Sequence, residues 1–253
     1  MKHAYGWLRG NKMWWKGGRG IGGTPYEYGW PSGGSAESDV WEQYLFDEGS
    51  GNLTGEANSL VLTAFGANIT YNVSASGAFS NLSPGIAYGV TSVHYSNNIT
   101  PAINVGVSDF TIEYWYKNTS VSDETYAFDM YNIGGTAAAA ITVLHRNLSG
   151  RLDVTIKDTD AAGSIMQFST PSSMNDGNMH KIRIVADRSG NCEVFYDGSS
   201  LGTSSIAVAS ASIDANYMRM GGEGGAGLNF IGSLHEWRIS GNITNNSGGP
   251  GGG

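Results

Sequence analysis

The 253-residue sequence holds one cysteine, six prolines and only 14% charged residues. A lone Cys192 closes no internal disulfide and leaves no cysteine pair for a zinc site, so stability must come from packing. Cys192 itself reads as a buried apolar residue. Runs of Ala, Leu, Glu and Lys at helical spacing are missing. The longest apolar run, Ala137 to Leu144, is broken by Thr142 and falls far short of the roughly 20 residues that span a bilayer. The N-terminal MKHAYGWLRGNKMWWKGG contains no continuous apolar core of the signal-peptide kind, so no targeting or membrane segment is expected.

What is present instead is glycine (38 residues), Ser, Thr, Asn and aromatic rings, the makings of short strands joined by many turns. NMHKIRIVADRSGNCEVFYDG shows the pattern most clearly. Ile182, Ile184 and Ala186 alternate with Lys181, Arg183 and Asp187, then Cys192, Val194 and Tyr196 alternate with Glu193 and Asp197 across a Ser-Gly-Asn turn. This predicts a hairpin with one buried face, followed by a second turn at Asp197-Gly198. DFTIEYWYK predicts a strand with Phe110, Ile112, Tyr114 and Tyr116 on one face and Thr111, Glu113 and Trp115 on the other. AITVLHRNLSGRLDVTIKD predicts a second hairpin turning at Asn147 to Gly150, and SIMQFST, NYMRMGG and FIGSLHEWRIS supply further strands. Spaced strands without a helical pattern imply an all-β sandwich, its core including Phe110, Ile112, Ile182, Ile184, Cys192, Val194 and Leu234.

Asn-x-Ser/Thr sequons occur at Asn52, Asn68, Asn72, Asn81, Asn98, Asn118, Asn147, Asn242 and Asn245. Turns rich in Asn, Ser and Thr generate such triplets as a by-product, which is the reading preferred over glycosylation.

Charge is unevenly placed. The net charge is −8, yet all 22 acids follow Tyr26, whereas Lys2, Arg9, Lys12, Lys16 and Arg19 precede it. Residues 1–38 thus form a basic arm and linker, with Tyr5, Trp7, Trp14, Trp15, Tyr26, Tyr28 and Trp30 set among glycines at neither helical nor strand period. Residues 39–240 form the sandwich, and 241–253 a glycine-rich tail.

Four stretches in order carry a family resemblance. VWEQYLFDEGSGN is similar to the opening strand and turn of laminin-G-like domains in the concanavalin A-like jelly-roll superfamily. DFTIEYWYK resembles that family's FTI-x-x-W strand, NDGNMHKIRIVADRSGNCEVFYDG its W-H strand and Y-x-D-G hairpin, and FIGSLHEWRIS its closing strand. Met179 stands where the family usually has Trp. The resemblance implies a jelly-roll β-sandwich and covers neither the extended basic arm nor the glycine-rich tail. It also implies calcium at the sandwich rim in many members, for which no ligand positions are assigned here; no other cofactor is required.

The superfamily's glycanases resemble one another in a Glu-x-Asp-x-Glu run on one strand, and this sequence has none. Asp109 with Glu113, and Asp158 with Asp160, are the nearest approaches, and each reads as structural. His3, His94, His145, His180 and His235 lie singly, without ligand spacing, and the Gly-rich GGRGIGG and MGGEGGAG are not set between a strand and a helix. No enzyme is expected.

Two functional readings remain. In the first, the protein is a non-enzymatic virion structural component, a phage capsid decoration or tail protein. Trp7, Trp14, Trp15, Tyr26, Tyr28 and Trp30, with Lys12, Lys16 and Arg19, bind other virion proteins or sister copies, and a homo-oligomer within the assembly is expected. In the second it is an extracellular or cell-surface carbohydrate-binding or adhesion module, with Trp115 as the candidate for stacking on sugar; packing of Trp115 between sheets is the alternative for that ring. Five positive charges on an acidic chain argue against nucleic-acid binding, and no membrane partner is expected.

Overall fold

A computed structural model describes residues 40–241 except 47–49, 57–59, 66–68, 75–84, 89–93, 123, 133–139, 160–161, 172 and 223–229. These residues form sixteen strands and no helix. In chain order they are β1 (Val40–Tyr44), β2 (Leu53–Thr54), β3 (Val61–Phe65), β4 (Ile69–Val73), β5 (Gly85–Tyr88), β6 (His94–Gly106), β7 (Phe110–Asn118) and β8 (Glu124–Tyr131). There follow β9 (Ala140–Arg146), β10 (Arg151–Lys157), β11 (Gly163–Ser169), β12 (Met179–Ala186), β13 (Asn191–Tyr196), β14 (Ser199–Ser205), β15 (Ile213–Met220) and β16 (Gly232–Gly241).

Two eight-stranded sheets result. Sheet I runs β14-β13-β12-β7-β16-β5-β4, with β1 also paired to β16; sheet II runs β11-β10-β9-β8-β15-β6-β3-β2. Every pairing is antiparallel, as in a sandwich built from hairpins and longer crossovers. The all-β sandwich read from the sequence is therefore the fold.

The alternation predicted for β12 and β13 is realised in register, with Ile182 opposite Tyr196, Ile184 opposite Val194 and Ala186 opposite Cys192. Burial pushes the Cys192 thiol up to about 12, with the Glu193 charge adding to it, so the thiol stays protonated and behaves as an apolar core group. At the hairpin's far end Asp197 and Gly198 both take positive φ, 49° and 81°, the conformation that favours Gly and tolerates Asp. The Asp197 carboxylate accepts the Lys181 N–H at 2.8 Å, so the Asp-Gly pair is a turn device.

Between the sheets lies one apolar cluster that includes all seven predicted core residues. Trp237 sits at its centre, with ring centroids 5.9 Å from Tyr44 and 5.6 Å from Phe128. Burying a side chain of this size contributes about 3 kcal/mol. Glu42 is buried but answers backbone donors, accepting the N–H groups of Gln43 at 2.9 Å and Leu60 at 3.3 Å.

Two sequon asparagines are structural. Asn118 and Asn147 are fully buried, and Asn118 Nδ2 donates to Asn147 Oδ1 at 2.7 Å while Asn147 Nδ2 donates to the Ser122 carbonyl at 2.7 Å. Neither amide can carry a glycan in the folded protein, which agrees with sequons arising from turn chemistry at these two sites.

Candidate functional site

Strand alternation determines what sheet II turns outward. In β8, Phe128 and Met130 enter the core, so Asp129 and Tyr131 point the other way; in β15, Met218 and Met220 enter the core and Tyr217 and Arg219 point outward. Because β8 and β15 pair, Tyr217 stands directly opposite Tyr131 and Arg219 opposite Asp129. The two tyrosine rings lie 4.9 Å apart, tilted by 47°. The Arg219 guanidinium pairs with Asp129 and also lies 5.1 Å from the centroid of the Tyr131 ring, while Thr142 Oγ1 donates to Asp129 Oδ1 at 3.5 Å.

Further along the same face, Arg146 pairs with Glu124 and, at 2.9 Å, with Asp153, which also takes Arg151 at 2.7 Å. The outer face of sheet II thus joins a half-buried aromatic pair to a row of matched charges. Asp129 and Asp153 are themselves buried, at 6% and 4% exposure, so the half-buried tyrosine pair is the part of this face open to a ligand and the matched charges hold it in place at close to zero net charge.

Other polar groups serve the framework. At one end of the sandwich His180, 8% exposed, is held between two carboxylates, with Nδ1 2.7 Å from Asp197 and Nε2 3.0 Å from Asp176. Only the doubly protonated ring donates to both. Burial works against that charge, but the bonds to Asp197 and Asp176 outweigh it, and the pKa lies above the usual histidine value. Tyr116 and Tyr196 lie against the ring, and His145 is the other imidazole nearby. His145 is neutral, because burial, helped by the charge on His180, pushes its pKa down to about 3, and its Nε2 lies 2.8 Å from the Tyr114 hydroxyl.

Asp176 belongs to the segment between β11 and β12, which is tied to its neighbours by Asn175 Nδ2 donating to the Ser120 carbonyl and Gly177 N–H donating to the Asn118 carbonyl. The His180 clamp therefore pins this segment. A raised folded pKa adds stability that is complete below the unfolded pKa of about 6.5 and is lost as pH rises through the folded value. Thermal melts should show a loss of stability above pH 6.5 that His180→Gln lacks, and the variant should be about 2 kcal/mol less stable than the parent at pH 6.

Trp115 corrects one expectation. It lies opposite the core face of β7 yet is only 2% exposed, with Lys181 Nζ 5.3 Å from its ring centroid, so it packs and does not form an exposed stacking surface. Of the acids weighed as catalytic, Asp160 lies outside the described residues and the other three are engaged. Glu113 is bound by Lys181 and Arg238, Asp109 accepts the Arg188 N–H at 2.7 Å, and Asp158 accepts the N–H groups of Ala162 and Ala211. Trp7, Lys12, Trp14, Trp15, Lys16, Arg19, Tyr26, Tyr28 and Trp30 lie outside the described residues.

Sequence reading missed Asp129, Tyr131, Tyr217 and Arg219. The alternation Met218-Arg219-Met220 marks a half-buried strand, but nothing in the chain says that it pairs with β8. Among the described residues no group of three or more His, Cys, Asp or Glu side chains could hold a metal ion. No helix among them is long and apolar enough to cross a membrane.

The two antiparallel sheets make a β-sandwich, and the family model that matches the chain makes it a lectin-like one. The chain belongs to the concanavalin A-like lectin/glucanases superfamily, whose family model matches residues 93–246. Among solved structures it is similar to the binding domain of botulinum neurotoxin serotype G, with TM-score 0.60 and 13% identity over 80% of this chain and 48% of that one. It is also similar to the binding domain of Paraclostridial mosquitocidal protein 1, with TM-score 0.55 and 16% identity over the same shares. The chain spans about half the length of these structures. No curated protein sequence matches it.

Proposed function

We propose that the sandwich is a non-enzymatic glycan-binding module and that the outer face of sheet II is its binding surface. The observation that carries this is the Tyr131–Tyr217 pair set directly beside the Arg219–Asp129 pair. Sugar rings present an apolar face to aromatic side chains and hydroxyls to charged pairs, and a face whose charges are already matched suits a neutral glycan. The resemblance in fold to toxin binding domains accords with recognition.

Turnover would need one carboxyl kept protonated as an acid beside a second, ionised one. Glu124, Asp129 and Asp153 are each held in an ion pair with arginine, which turns their carboxylates to structural partners. Screening the protein against immobilised neutral oligosaccharides should show retention without release of cleaved sugar. Cleavage, or retention on no neutral glycan, contradicts the reading.

The basic aromatic arm favours a second, compatible reading. We propose that residues 1–38 attach the module to a larger assembly, such as a virion. Deleting residues 1–35 should leave the melting temperature nearly unchanged and abolish incorporation into that assembly. Full incorporation of the truncated chain overturns it.

A further inference from the structure

Edge strands present unpaired N–H and C=O groups, and soluble proteins blunt them with charge, proline, bulges or shortness. Four of the five edge strands described here are blunted: β1, paired only to β16, carries Glu42 and a register shift between Val40 and Glu42. Strand β2 has two residues, β4 carries a register shift between Thr70 and Val73, and β14 carries one opposite Val194 and Phe195, with Gly202 at φ 120°. Strand β11 has none of these devices. It pairs with β10 through seven residues without a shift, from Arg151 opposite Ser169 to Lys157 opposite Gly163, and its own sequence, GSIMQFS, contains no charge and no proline.

The surroundings of β11 are unusual for this chain. Residues 161–175 and 198–213 contain no charged side chain, in a protein with 14% charged residues. The two stretches meet where Ser164 Oγ donates to the Ser205 carbonyl at 3.1 Å, so the free edges of both sheets share one uncharged flank. Two large apolar side chains are exposed there, Ile165 at 65% and Val208 at 58%.

We infer that β11 is a homodimer edge, at which two copies pair their β11 strands antiparallel and fuse the two sheets II into one. The argument for a second copy is electrostatic and geometric. A chain of net charge −8 repels its own copies, and the two stretches that meet on this flank bring no charge of their own to a join. A two-fold axis through Met166 sets Ile165 opposite Gln167 of the partner subunit, both on the outer face, while Met166 and Phe168 keep to the core side. The pairing thus needs no side chain to change face.

The consequence rests on the glycan reading above. An antiparallel two-fold join keeps both outer faces on the same side of the fused sheet. With strands roughly 4.8 Å apart, the two β8 strands would stand seven spacings, roughly 34 Å, from each other. Two Tyr131–Tyr217 surfaces at that separation would engage a multivalent glycan with avidity.

The experiment is sedimentation velocity of the full chain over a concentration series, beside Ile165→Lys and, as a control outside the flank, Val121→Lys at an 85% exposed position. Wild type and Val121→Lys should shift from monomer to dimer with rising concentration, and Ile165→Lys should stay monomeric with an unchanged melting temperature. Retention of each variant on a dense glycan surface and its affinity for a monovalent oligosaccharide complete the test. Ile165→Lys should lose at least tenfold in retention and keep its monovalent affinity. A wild type that stays monomeric, or pairs with another protein and not itself, overturns the dimer while leaving glycan binding to stand or fall on the monovalent measurement. Dimerisation of Ile165→Lys equal to wild type overturns the assignment of β11.

Discussion

Replacing Glu113 by Ala should cost about 3–5 kcal/mol of unfolding free energy, measured by denaturant titration, because it strands two cations at a nearly closed site. Glu113 is 4% exposed and accepts from Lys181 Nζ at 2.7 Å and from the Arg238 guanidinium at 2.7 and 3.0 Å. Burial alone would raise its pKa. The Lys181 ammonium and Arg238 guanidinium more than reverse this, so the carboxyl titrates below its usual value. The stability it contributes is accordingly present above the unfolded carboxyl pKa and is lost as pH falls through the lower folded value. A triple replacement, Glu113→Leu with Lys181→Met and Arg238→Met, should recover most of the loss, since apolar residues of similar volume avoid the desolvation of all three charges. If Glu113→Ala alone costs less than about 1 kcal/mol, the three side chains are solvated in solution and do not form a closed ion cluster.

The second large effect concerns binding. Tyr131→Ala combined with Tyr217→Ala should weaken a neutral oligosaccharide by roughly 100-fold, equivalent to about 2.7 kcal/mol, because both stacking rings are removed. Both rings lie outside the core cluster, so the fold should survive with a cost near 1 kcal/mol. Arg219→Lys should weaken binding by less, since it keeps the ion pair with Asp129 but loses the planar guanidinium beside Tyr131. Unchanged affinity in the double tyrosine variant would remove sheet II from the binding account without touching the fold.

How far the chain discloses this architecture varies by element. The β12–β13 hairpin is legible because strict alternation is bounded by Asp187–Gly190 and Asp197-Gly198, whose turn chemistry is local. Strand β14, SSLGTSS, carries almost no apolar signal and exists because β13 supplies a ladder for it. In β7 alternation correctly separates the core face of Ile112, Tyr114 and Tyr116 from Thr111, Glu113 and Trp115. It misleads about exposure, since the second group is buried as well, in part around the Glu113 cations. The candidate site was hidden for another reason. Tyr131 and Tyr217 become neighbours only through the non-sequential pairing of β8 with β15, which depends on the closure of the whole sandwich.

Chemical-shift mapping of the isotope-labelled protein during titration with a neutral oligosaccharide tests the central claim most directly. The account predicts saturable perturbations concentrated on Tyr131, Tyr217, Asp129 and Arg219, fading towards sheet I and unaltered by dimer-blocking Ile165→Lys. Perturbations centred on the His180 end of the sandwich or on sheet I, with the Tyr131 and Tyr217 ring signals unmoved, would contradict it.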